Sequence, residues 1–356
     1  TYALTVTGAG ENAALTGDLD ITASAQLVGA GADTTVVTSA GASFGDRIFE
    51  VLAGATVTMT DVTVSQGSCL ANGGGGIAIG GSLSCTRCTV RDSAAFWGGG
   101  IMVSGSGVLT LSSSTVTANT ATQDGGGLYV ATGSATVTTS SITGNAAVNG
   151  GGLANVAGYV NLRDSTLSTN SATDGGGMLA EAAISILKNV TLSGNTATTG
   201  GGGVVSRSSG TTDASNVTIT ANSAAQGGGL RREAGSITLR NSIVADNTAS
   251  GSGTDCSSTI TSDGYNLFGT SGCPASVVTG DVSGMAADLG ALADNGGSPL
   301  THLPSAASPA VDTGHPGTPG TTGACLAADQ RGAARPGGAR CDKGAVERAA
   351  SGTTTT

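Results

Sequence analysis

The residues best suited to chemistry lie on a regular spacing. Glu181, Arg207 and Glu233 follow one another at intervals of 26 residues, each six positions after the first glycine of a glycine triplet. Two carboxylates about a cation can bind or cleave glycosidic bonds, and their separation decides which reaction is open. Asp124 and Asp174 each stand directly before such a triplet, where carboxylates at a tight turn offer weak candidate ligands for Ca²⁺. Cys85 and Cys88 form a CxxC without a second CxxC in the chain. A zinc site of that type needs two pairs, so the motif points weakly to metal.

What positions these groups is a repeat. Seven triplets begin at Gly74, Gly98, Gly125, Gly150, Gly175, Gly201 and Gly227, each followed by an aliphatic residue, and a degenerate copy is expected at Gly251. A second column keeps the register: Val64, Val90, Val116, Ile142, Leu167, Leu192, Ile219 and Val244. Three residues after the last six of these stand Asn119, Asn145, Asn170, Asn195, Asn222 and Asn247. Between the columns apolar and small polar residues alternate, the period-2 mark of strands with one buried face. A unit of about 25 residues built from such strands is one coil of a parallel β-helix. No single coil can bury enough surface to fold alone, but stacking gives each strand edge a partner and closes a continuous core.

Stacking puts equivalent residues about 4.8 Å apart. The asparagines should then form an amide ladder, each side chain bonding the next coil, with asparagine also suited to a left-handed bend. Gly126, Gly151, Gly176, Gly202 and Gly228, the middle glycines, should mark a corner without room for a Cβ, with positive φ in the same bend. Glu181, Arg207 and Glu233 should make a charge column whose carboxylates lie roughly 9–10 Å apart, too far for a retaining glycosidase and at the edge of the inverting range. An arginine between them favours ionised carboxylates, whereas a general acid needs a raised pKa. A structural ladder is the better reading. Arg163, Lys188 and Arg240 form a second, solvated basic stripe.

Composition narrows the class. The chain has 356 residues, 61 of them glycine, a net charge of −10 and 3% aromatic residues. The acidic balance argues against nucleic acid and anionic membrane as partners, and no apolar run reaches the roughly 20 residues of a membrane span. The abrupt start at Thr1 suggests a trimmed N-terminus. The seven cysteines read as disulfides of an oxidising compartment. Cys256 with Cys273 and Cys325 with Cys341 are natural local pairs, whereas the pairing of Cys69, Cys85 and Cys88 stays open.

The organisation expected is irregular first coils over 1–60, regular repeats over 61–255 and degenerate last coils over 256–287. A Pro/Gly-rich cap over 288–348 should cover the open C-terminal edge, and 349–356 looks like a Thr-rich linker. "TYALTVTGAGENAALTGDLDI", the "NxAxxGGG" units and a C-terminal motif together resemble bacterial choice-of-anchor Q surface proteins. That motif is Asp294-Asn295-Gly296-Gly297, Ser308-Pro309-Ala310-Val311-Asp312 and Asp329-Gln330-Arg331-Gly332. The repeats also resemble pectate-lyase-like and polymorphic outer-membrane proteins. The resemblance implies a right-handed parallel β-helix, here of about 10–12 coils, secreted and held at the cell surface by a C-terminal anchor.

Three functions follow. The first is a non-enzymatic surface scaffold or adhesin, without cofactor, whose partners would be copies of itself stacked end to end, a glycan or an anchor. The second is a polysaccharide lyase or glycoside hydrolase. Its sites would need clustered carboxylates and aromatic platforms, yet Trp97 is the sole tryptophan, and His302 and His315 lie in the capping segment. The third is ice binding through outward rows such as Thr115/Thr117. Those rows vary (Ser141/Thr143, Thr166/Ser168, Thr191/Ser193), which disfavours a lattice match.

Overall fold

The computed structural model describes residues 1–8, 15–41, 44–269, 273 and 277–349. Residues 350–356, and with them most of the expected linker, lie outside these. Among the described residues every regular element is a strand, each paired parallel to its equivalent one coil away. About ten turns stack into a β-solenoid. One coil shows the plan. Leu128–Val130 belongs to a nine-stranded sheet, Ser134–Thr138 and Ser141–Thr143 to a twenty-stranded sheet, and Ala146 and Asn149 bridge the third side.

The columns stack in register: Val64 beside Val90, Val116, Ile142, Leu167, Leu192, Ile219 and Val244. All eight are buried in one core that runs the length of the stack. Each such side chain contributes roughly 1.5–3 kcal/mol by leaving water, and the stack lets coils share that core.

Three corners per coil take positive φ. The first passes through Arg87, Ser113, Thr139, Asp164, Asn189, Asn216 and Asn241; the second through Asp92, Ala118, Gly144, Thr169, Gly194 and Ala221. The third is the triplet, always glycine: Gly125 has φ +67°. The middle glycine is required for another reason. A Cβ on Gly126 would lie 2.4 Å from the carbonyl oxygens of both Ala146 and Gly151, backbone of the next coil. Backbone strain and crowding thus fall on adjacent residues. The degenerate triplet also turns elsewhere than expected. Gly253, φ +68°, is the equivalent of Gly227, and Cys256 bridges Leu230, so the corner is not at Gly251.

The amide ladder forms. From Asn145 on, each asparagine oxygen accepts the backbone N–H and the side-chain amide of the previous rung, along Asn119, Asn145, Asn170, Asn195, Asn222 and Asn247, at 2.9–3.1 Å, and Asn119 itself accepts the N–H of Ser93. Asp255 ends it, accepting from Asn247. The positive φ expected of these asparagines falls one residue earlier, as at Ala118 and Thr169. A second ladder lies in the adjacent corner, where Cys88, Ser114 and Ser140 donate their N–H groups to the hydroxyls of Ser114, Ser140 and Ser165.

Disulfides join Cys85 to Cys88, Cys256 to Cys273 and Cys325 to Cys341, leaving Cys69 free and buried. The CxxC is therefore a local staple. The C-terminal segment, expected as a cap, reaches the last coils through Lys343, which donates to the carbonyls of Asn266 and Gly280. It runs along the side of the stack, on the outer face of the long sheet. Thr166, Thr191 and Thr218, in successive coils, bond Leu300 and Gln330, Gln330, and Ala345 respectively. Loops rich in glycine and proline cannot extend the sheet, but their polar groups match a column of threonine hydroxyls. These threonines are 2%, 0% and 2% exposed, so the docked segment covers the outward row in these three coils, whereas Thr115 and Thr117 are half-buried.

Candidate functional site: a charged and aromatic flank

Of the charged residues noted in the sequence, Asp124, Asp174, Glu181, Arg207 and Glu233 lie along one flank, where two columns meet across the triplet corner. One column comprises the residue before each triplet: Gly73, Trp97, Asp124, Asn149, Asp174, Gly200 and Gln226. The other is the middle residue of each short strand after it: Ala78, Met102, Tyr129, Ala154, Leu179, Val205 and Arg231. These middle residues point away from the main core, yet Ala154, Leu179 and Val205 are fully buried and pack with Tyr129 as a small outer core.

Side chains of the second column lean back over the preceding coil. Tyr129 stacks on Trp97 with centroids 6.2 Å apart and planes 15° from parallel, and Phe96 meets Trp97 edge-on at 4.5 Å. Arg231 crosses Gly200, whose added Cβ would lie 2.3 Å from Nη1, and reaches Asp174 two coils back at 3.3 Å. Its other nitrogen holds Glu233 at 3.0 Å. With glycine at position 200 no side chain stands in this path. Burial raises the Tyr129 phenol, with Asp124 and Glu181 pushing the same way.

The Glu181–Arg207–Glu233 column is thus half realised. Arg207 bonds Glu181 at 3.4 Å, but Glu233 turns to Arg231. Arg231, unremarked in the sequence, competes because it lies on the neighbouring column with a shorter reach. Asp124 accepts a hydrogen bond from Asn149 at 2.6 Å and Asp174 is ion-paired, with Asn149 standing between them in register. These two carboxylates are not brought together as ligands. The basic stripe is broken as well. Arg163 lies beside Lys188, but Ser215 intervenes before Arg240, which pairs with Asp263.

Among the described residues, one group of three carboxylates does converge: Asp18, Asp20 and Glu50 in the first two coils, with oxygens within 4.8 Å of one another. Burial, helped by Asp46, pushes Asp18 up to about 7. The sequence carries its signal only as "DLD" and "RIFE", 30 residues apart, outside the triplet register.

The C-terminal motif forms a polar clamp. Asp294 accepts the N–H groups of Gly296 and Gly297. Asp329 binds Arg331 at 2.7 Å and also takes the N–H groups of Ala333 and Glu347. Arg335, fully buried, pairs with Glu347 at 3.0 Å. His302 links Ser193 to the Gly290 carbonyl, and burial holds its pKa below the ordinary value. Burial pushes Asp342 up to about 6 and brings Lys343 down to about 8, where the ammonium donates to the carbonyls of Asn266 and Gly280. Beneath the clamp a cleft of about 380 Å³ is lined by Thr139, Arg163, Asp164, Asn189 and Arg331.

Parallel coils, repeated corners and a continuous core define a β-helix, and the comparisons give its hand. A family model described as "right handed beta helix region" matches residues 75–226. The fold is a right-handed parallel β-helix. Among solved structures the chain is similar to one titled crystal structure of pectate lyase Pel9A, at 13% identity and a TM-score of 0.48, over 93% of this chain and 85% of that one. No curated protein matches it.

Proposed function

We propose that this chain is a non-enzymatic structural or adhesive β-helix of the cell surface, held through a C-terminal anchor as in the choice-of-anchor Q proteins it resembles. The observation that carries this reading is how its charges are used. Glu181, Glu233 and Asp174 are ion-paired and Asp124 is hydrogen-bonded to Asn149, all along a side of the stack. Carboxylates engaged in this way are tied to neighbouring side chains, across coils for Glu181, Asp124 and Asp174, instead of standing ready for proton transfer. Three disulfides favour an oxidising, extracellular setting. Among the described residues no helix is long and apolar enough to cross a membrane. Exposed Tyr2 and Val28 near the first coil and Val277 and Met285 near the last favour end-to-end assembly of copies through open strand edges.

Light scattering and electron microscopy at rising concentration test the assembly, and incubation with acidic polysaccharides tests the enzyme alternative. The expected result is ordered fibres or a glycan-binding particle with substrate chains left intact. Depolymerisation that is lost in Glu181→Gln or Glu233→Gln refutes the proposal and establishes a lyase or hydrolase instead.

A further inference from the structure

We propose that the first two coils bind a divalent cation of calcium size between Asp18, Asp20 and Glu50. Asp20 lies directly opposite Glu50 in the parallel pairing of Leu19–Ile21 with Phe49–Val51. Like charges facing each other across neighbouring strands repel, which a cation set between them would offset. Asp46 adds a further buried carboxylate. Against these stands Arg47, which reaches Glu50 at 2.8 Å, Asp18 at 3.5 Å and Asp46 at 3.6 Å. One guanidinium thus serves three of these carboxylates at once in a partly buried place.

A second observation points to a ligand. Asp18 is 4% exposed, yet its Oδ2 has no hydrogen-bond donor, and Nε of Arg47 beside it has no acceptor. The arginine lies close but does not hydrogen-bond that oxygen. Leaving a buried carboxylate oxygen unbonded is costly, and an ion set between three carboxylates removes the cost. The donors are hard oxygens from residues on two coils, which suits Ca²⁺ with its six to eight flexible oxygen ligands better than the thiolate and imidazole sites of zinc. Cys69 is turned instead towards the guanidinium, its Sγ 3.6 Å from Arg47. Bound there, the cation would rivet the first coil to the second, where no glycine triplet or asparagine ladder secures the stack.

The test is calorimetric titration of the metal-stripped full chain with CaCl2, alongside hydrogen exchange with and without Ca²⁺. Expected are one site per chain with Kd in the range of about 10⁻⁴–10⁻³ M, as in extracellular calcium modules, and slowed exchange confined to residues 15–28 and 44–51. Asp20→Asn, at a half-buried position, should weaken binding at least about tenfold, as should Glu50→Gln; Asp124→Asn and Asp174→Asn should leave it unchanged. Absence of binding heat up to 10 mM Ca²⁺, or binding that persists in both Asp20→Asn and Glu50→Gln, overturns the proposal. Should either variant fold poorly by circular dichroism, protection of residues 15–28 by Ca²⁺ in the unmodified chain decides: its absence likewise overturns it.

Discussion

Removing one rung of the asparagine ladder tests what holds the coils together. Asn170 is fully buried. Its oxygen accepts the backbone N–H and side-chain amide of Asn145, both at 3.0 Å, and its amide donates to the Ile142 carbonyl and to Asn195 at 2.9 Å. In Asn170→Ala the Asn145 side chain still has the carbonyls of Val116 and Thr143, but its backbone N–H loses its acceptor and the Ile142 carbonyl loses a donor. Two buried groups stripped in this way cost about 2–6 kcal/mol together. Asn170→Asp supplies the comparison. It keeps the acceptor, as Asp255 does at the ladder's end, but loses both donated bonds and buries a charge. Asn149→Ala, a partly exposed position bonded to Asp124, should cost no more than about 1 kcal/mol. Urea unfolding followed by circular dichroism measures these differences. Hydrogen exchange on residues 141–195 covers the case in which a repeat protein departs from two-state behaviour. If Asn170→Ala costs no more than Asn149→Ala, the ladder is not what secures the stack.

Two further outcomes follow from the geometry. Gly126→Ala should lose more than the about 1–3 kcal/mol typical of overpacking, because the carbonyls it would strike are fixed backbone of the next coil. Gly105→Ala, at φ +60° with nothing within 4 Å, should lose only about 1 kcal/mol of left-handed strain; equal losses on thermal unfolding would refute the crowding account. In acid, Asp342 binds its proton more tightly folded than unfolded, since burial raises it from 3.8 to about 6. Its contribution to stability is therefore fully present below about pH 4 and lost as pH rises to about 6. The stability of the natural chain relative to Asp342→Asn should fall across that window, read as exchange protection of residues 288–348, and a flat or rising difference contradicts the assignment.

Much of this architecture is written in single coils. The aliphatic column from Val64 to Val244 and the asparagines from Asn119 to Asn247 are visible because equal spacing must place like residues over like, and both columns stack as spaced. Cys256 with Cys273 and Cys325 with Cys341 could be paired from their nearness in the chain. The serine ladder escaped notice because serine is common in every strand, and its bond depends on the left-handed residue before it. The Gly253 corner was misplaced by two residues because "GSG" gave a false glycine match, whereas backbone pairing follows Leu230 to Cys256.

The charged flank shows the limit most clearly. The spacing correctly put Glu181, Arg207 and Glu233 one above another, but Glu233 chose Arg231, and Arg231 reached Asp174 because Gly200 lies between them. Such partners are set by side-chain reach across coils, which spacing along the chain does not contain. The same holds for Asp18, Asp20 and Glu50, and for the C-terminal segment. That segment lies along the side of the stack because the Thr166, Thr191 and Thr218 hydroxyls form a row only once the coils are stacked. By itself the sequence determined the coil, its period and the inward face, since these rest on local alternation and repetition. Only the tertiary structure decided which outward groups meet, because those contacts join residues on different coils and in the docked segment.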